Sequence, residues 1–125
     1  MSDVLFENGE RIRREVLGEA YVNQSNATTD AFSEPVRAFA IRQLWGDVWD
    51  RPGLDRRSRS LLNLALMTAM NRPAELKIHV RAALNNGVSR EELSEVFLHC
   101  ALYCGIPAAS ESVRVAKQLF AELDA

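Results

Sequence analysis

Within the nine residues Asn71-Arg-Pro-Ala-Glu-Leu-Lys-Ile-His79, the chain sets a cation, a carboxylate and an imidazole close together. If this stretch opens a helix, Arg72 and Glu75 precede His79 by seven and four residues, and all three share one face. Pro73 suits a first turn, where its missing N–H breaks no hydrogen bond. The free N–H groups of a helix start also favour anions. Such a site can bind a small acid and move one proton.

His79 is expected at the margin of a buried face, because Leu76, Val80, Ala83 and Leu84 supply the neighbouring apolar stripe. An imidazole there can titrate near neutrality, which proton transfer needs. The plainer reading is that Glu75 and His79 form an ordinary surface pair, worth roughly a few tenths of a kcal/mol. Spacing alone leaves the two readings level.

Five arginines, Arg51, Arg56, Arg57, Arg59 and Arg72, lie near the ends of the third and fourth expected helices. A guanidinium fork grips a carboxylate through two bonds, so one or two of them could anchor an acidic substrate. Arg72 and Arg56 would sit at opposite ends of a helical hairpin, so a pocket using both needs a neighbouring subunit. Plain solvation is the default for Arg57. Cys100 and Cys104 are four apart on an expected helix, poorly placed for a disulfide and not a Cys-x-x-Cys pair. They are expected to be buried, inert thiols. His99, on the face of Glu95 and Tyr103, is expected at a contact between subunits. Neither a Glu-x-x-His pattern nor a zinc ligand set is present, and no metal is expected.

The chain has 125 residues, 47% apolar and 26% charged, so a single domain spanning residues 1–125 is expected. A net charge of −2 and the lack of a basic stripe argue against nucleic-acid binding. No apolar run reaches the length of a membrane span. The first residues, Met1-Ser-Asp-Val-Leu-Phe-Glu, lack the basic region and apolar core of a secretion signal, and with two cysteines a reducing cytoplasm is expected.

These side chains must be positioned by helices, for no alternating strand pattern stands out. The expectation is an all-α fold of six helices. The first runs from Val4 to Tyr21, followed by a polar connection from Asn23 to Asp30 in which Thr28, Thr29 or Asp30 could cap. The second runs from Phe32 to Trp49 and buries Val36, Phe39, Ala40, Leu44 and Val48. Arg51-Pro-Gly53 breaks the chain, and Asp55 caps a third helix whose Leu61, Leu62, Leu64, Leu66 and Met67 point in nearly every direction. The fourth runs from Arg72 to Asn86, with Asn86-Gly87 as a left-handed cap. Ser89-Arg-Glu-Glu92 is a capping box opening the fifth, which ends at Gly105, and Pro107 starts a sixth that reaches Leu123. Short connections make sequential helices antiparallel neighbours.

Several strings carry a family resemblance. They are Trp45-Gly-Asp-Val-Trp-Asp-Arg-Pro-Gly-Leu54, Arg59-Ser-Leu61, Glu75-Leu-Lys-Ile-His79-Val-Arg-Ala-Ala83, Asn85-Asn-Gly-Val88 and Tyr103-Cys-Gly-Ile-Pro-Ala108. Together they resemble the carboxymuconolactone decarboxylase family, within the wider AhpD-like superfamily, over most of the chain. The peroxidase branch of that superfamily carries Glu, then Cys-x-x-Cys, then His. Counting back from His79, this chain has Glu75 and Arg72 at the two cysteine positions and Ser60 where the relay glutamate would be. Thiol-based peroxide reduction is therefore disfavoured. A non-catalytic oligomeric binding module is the remaining alternative.

The resemblance implies a six-helix AhpD-like bundle and a cofactor-free decarboxylation. The family's substrate is a butenolide with one carboxylate on the ring and another on an acetate arm. Its own lactone carbonyl takes up the electron pair left by carbon dioxide, so neither a metal nor an organic cofactor is required. On this reading His79 is the proton donor or the oxyanion partner, and Glu75 sets its tautomer and protonation. Arg72 holds a carboxylate, Arg59 is a second anchor, and Trp45 walls the pocket. The resemblance further implies a homo-oligomer, a trimer or a hexamer of paired trimers, and places the reaction in the protocatechuate branch of aromatic-acid breakdown.

Overall fold

A computed structural model describes residues 3–125, and the described residues are helical with no strand among them. They fall into two compact units divided after Leu54. The first unit holds α1 (Val4–Leu17), α2 (Glu19–Ala27), α3 (Glu34–Phe39), a π-helical segment (Ala40–Asp47) and a short 3₁₀ turn (Val48–Asp50). The second holds α4 (Arg56–Ala69), α5 (Pro73–Asn85), α6 (Arg90–Cys104) and α7 (Ile106–Asp124).

In the first unit the expected first helix is two helices. Gly18 breaks it with φ 92, a left-handed conformation that glycine reaches at no steric cost, and α2 then continues to Ala27 through part of the expected connection. Asp30 and Ser33 bond each other's backbone N–H groups ahead of α3, at 3.0 and 3.1 Å. The expected second helix also departs from its pattern. Its middle winds as a π-helix, and Ile41, Trp45 and Trp49 turn inward. Val36 and Phe39 are 75% and 67% exposed, and Leu44 and Val48 are exposed as well. The wider turn shifts the buried face away from the one an α-helical period selects.

α1 packs directly on that π segment. A Cβ on Gly9 would run into the carbonyl oxygen of Ile41, and one on Gly46 into that of Leu5. Asn8 reinforces the approach by donating to the Gly46 carbonyl at 3.0 Å. Arg13, a buried cation, is satisfied by Asn26 Oδ1 at 3.0 Å and Ser25 Oγ at 2.9 Å.

The second unit follows its sequence signals more closely. Asp55 caps α4 by accepting from the Ser58 N–H at 2.7 Å. Ser89 and Glu92 form the expected capping box. Glu92 also pairs with Arg57, which is thus held at the surface instead of simply solvated. Gly87, with φ 91, supplies the left-handed turn after α5, while Asn86 stays at negative φ. Leu64, Leu76, Val80, Leu93, Phe97 and Leu119 form the centre of this unit's core. Leu62 and Leu66 stay exposed on α4, in keeping with a helix apolar on several sides. Among the described residues no helix is long and apolar enough to cross a membrane.

Candidate active site

The site is built on the antiparallel pair α4 and α5. Two side-chain contacts record their register. Asn86 donates to Ser60 Oγ at 2.9 Å, and nearer the connection Asn63 Nδ2 meets His79 Nδ1 at 3.5 Å. Thr68 ties the same α4 to α7 through a buried 2.8 Å hydroxyl pair with Ser112. Ser60, at the superfamily's relay position, is fully buried and occupied by Asn86.

The chain enters α5 through Asn71, whose φ of 56 is a left-handed conformation that asparagine tolerates better than most residues. Arg72 is the N-cap residue, with φ −119, and its N–H donates to the Met67 carbonyl at 2.9 Å. It therefore stands just outside the helical spacing assumed for it. Pro73 takes the first helical position and Glu75 lies in the first turn. Glu75 and His79 keep the four-residue relation along one face.

Arg72 and Glu75 are exposed, whereas His79 is half-buried, as its place beside Leu76 and Val80 requires. Burial pushes the His79 pKa below its ordinary value of 6.5, and the Glu75 carboxylate opposes that shift more weakly. The ring is thus biased toward its neutral form. Arg72 lines a hollow of about 10 Å³ with Thr68, Leu76, Glu111 and Ser112, room for about one water. Neither Glu75 nor His79 lines that hollow.

The remaining sequence candidates distribute as follows. Arg59 is half-buried on α4, one turn before Asn63. Trp45 lies in the first unit, only 5% exposed, with its ring 5.0 Å from that of Trp49. Cys100 is buried and its thiol pKa is raised by burial and by the neighbouring Cys104 thiol. Cys104 is exposed, which corrects the expectation that both thiols are buried: the α6 stripe continues past the edge of the core. His99 is exposed and lies against Tyr103, their rings 4.8 Å apart. Among the described residues no three His, Cys, Asp or Glu side chains are grouped to hold a metal ion.

Asn63 is a neighbour of His79 that the sequence did not suggest. It lies inside an apolar α4 stretch, sixteen residues before His79, and no short motif joins the two. Only the hairpin register could have found it.

Comparison with known proteins sets this geometry in context. Residues 35–118 match the carboxymuconolactone decarboxylase family. A 4-carboxymuconolactone decarboxylase of Acinetobacter baylyi is 43% identical over 118 residues, covering 94% of this chain and 88% of that protein. Nitrosuccinic acid decarboxylase npaB of Metarhizium robertsii is 41% identical over 114 residues, covering 91% of this chain and 80% of that protein.

Proposed function

We propose that this chain, which belongs to the carboxymuconolactone decarboxylase family, removes carbon dioxide from γ-carboxymuconolactone to give the β-ketoadipate enol-lactone. The observation that carries the reading is 43% identity with a 4-carboxymuconolactone decarboxylase across 94% of the chain. The half-buried His79, with Glu75 one turn before it, supports it chemically.

In that reaction the bond from the ring carbon to its carboxylate breaks, and the electron pair passes through the ring double bond onto the lactone carbonyl oxygen. The oxyanion then re-forms the carbonyl as the adjacent ring carbon takes up one proton, ultimately from solvent. The protein must hold a dianion, stabilise the oxyanion and manage that proton. His79 and Glu75 share the last two tasks. Arg72, exposed at the mouth of α5, holds a carboxylate through its guanidinium fork. Arg59 serves as a second anchor, contributed by a neighbouring subunit.

The working form in this reading is a homo-oligomer, a trimer or a hexamer, acting in the cytoplasm within protocatechuate breakdown. Its support is the apolar surface of the second unit. Leu98, Leu102, Tyr103 and Ile106 are all exposed on α6 and α7, and an open groove of about 350 Å³ runs between these helices.

The similarity to a nitrosuccinic acid decarboxylase favours one second reading, a nitro-substituted diacid as substrate. There too a dianion loses carbon dioxide and leaves negative charge on oxygen, now of a nitro group, so the same side chains would serve. Parallel assays of carbon dioxide release from freshly made γ-carboxymuconolactone and from nitrosuccinate separate the two. The lactone is expected to show the far larger kcat/KM. The reverse order would replace the lactone with the nitro diacid.

A further inference from the structure

We propose that Asn63 is a positioning residue: its side-chain amide, facing Nδ1 of His79 across the α4–α5 hairpin, keeps the imidazole proton on Nε2 and aims that N–H at the substrate oxyanion. The role in turnover rests on the decarboxylase reading above, but the tautomer is a property of the protein alone.

The contact is long, 3.5 Å between Asn63 Nδ2 and His79 Nδ1, and its donor and acceptor roles are tied to the ring tautomer. An amide NH₂ only donates, so the ring nitrogen it meets must offer a lone pair. A neutral imidazole that accepts at Nδ1 carries its hydrogen at Nε2. Asn63 is well held for this purpose. One turn earlier Asn86 bonds Ser60, the next residue Leu64 is fully buried, and Thr68 is locked to Ser112. Both Asn63 and His79 are half-buried, which limits the water that could scramble the pairing.

The choice of amide over carboxylate matters. An aspartate at position 63 would accept from Nδ1–H and favour either the opposite tautomer or the imidazolium. Asparagine adds no charge and leaves Glu75, one turn away on α5, as the carboxylate acting on the ring. A neutral Nε2–H is a poor proton donor and a good hydrogen-bond donor. His79 then stabilises the lactone oxyanion, and the proton that ends on carbon arrives from water by way of the exposed Glu75.

The test is long-range ¹H–¹⁵N correlation of the His79 ring in ligand-free protein near pH 8, for wild type, Asn63→Leu and Asn63→Asp, with steady-state kinetics of the same samples. Wild type should show the proton on Nε2. Asn63→Leu should give a mixture of tautomers, and Asn63→Asp should place a proton on Nδ1, either alone or together with Nε2 as the imidazolium. In Asn63→Leu, kcat should fall roughly 3- to 10-fold, the value of one hydrogen bond, with KM little changed. Asn63→Ser, which retains a donor, should recover part of the loss and guards against misfolding of the leucine variant. A wild-type proton on Nδ1, or ring signals identical in all three proteins, would overturn the proposal. A wild-type Nε2 proton in an enzyme inert toward the lactone would instead sink the decarboxylase reading and leave the Asn63 contact standing.

Discussion

Asn63 and His79 meet across the α4–α5 hairpin, amide nitrogen to ring nitrogen, although sixteen residues separate them in sequence. The amide favours an unprotonated Nδ1, and burial lowers the affinity of the ring for a second proton. Burial thus biases His79 toward its neutral form, and the proposed amide contact at Nδ1 works in the same direction.

The proposed catalysis by a neutral His79 has a defined pH signature. With the His79 pKa held below 6.5, kcat/KM should rise as pH increases through that lowered value and level off above it. A histidine needed as the cation would give the opposite slope, with activity falling as pH rises through the same value. A pH–rate profile of kcat/KM reports the free enzyme and so reads the sign directly.

Arg72→Ala should act mainly on binding. Arg72 sits exposed at the start of α5, where its loss disturbs no core packing. Removing a charge-assisted bond to a substrate carboxylate should raise KM roughly 10- to 100-fold with kcat little changed. Arg72→Lys keeps the charge and loses the fork, so it should fall between. An unchanged KM in Arg72→Ala would remove the residue from this role.

Gly9→Ala should destabilise the first unit even though alanine is the better helix former. The added Cβ meets the backbone carbonyl of Ile41, which cannot swing aside as a flexible side chain could. Overpacking of this kind costs about 1–3 kcal/mol, which a urea midpoint detects. Gly46→Ala should behave alike, because its Cβ meets the carbonyl of Leu5.

The second unit was the more legible in sequence. Asp55, the Ser89–Glu92 capping box, Gly87 and Gly105 are local signals, and local signals survive into the fold. The first unit departs from its local signals where tertiary packing overrides them. Nothing in a helical period announces that the Ala40–Asp47 segment winds wider, and so Ile41, Trp45 and Trp49 replaced Val36, Phe39 and Leu44 on the buried face. Gly18 ends α1, a break the pattern does not announce, since one glycine inside an amphipathic stretch is often tolerated. The half-buried setting of His79 was readable from its apolar neighbours, whereas Asn63 required the register between two helices. Arg72, expected inside the helix, is its N-cap, a one-residue difference that takes it off the helical spacing.

The most direct measurement is carbon dioxide release from freshly prepared γ-carboxymuconolactone by wild-type protein and by His79→Ala, with circular dichroism to establish that both are folded. Wild type should release one carbon dioxide per enol-lactone formed, and His79→Ala should lose on the order of 10²- to 10³-fold in kcat, as expected for removal of an oxyanion donor. Near-full turnover by folded His79→Ala, or no turnover by folded wild type, would contradict the assignment of His79 to this chemistry.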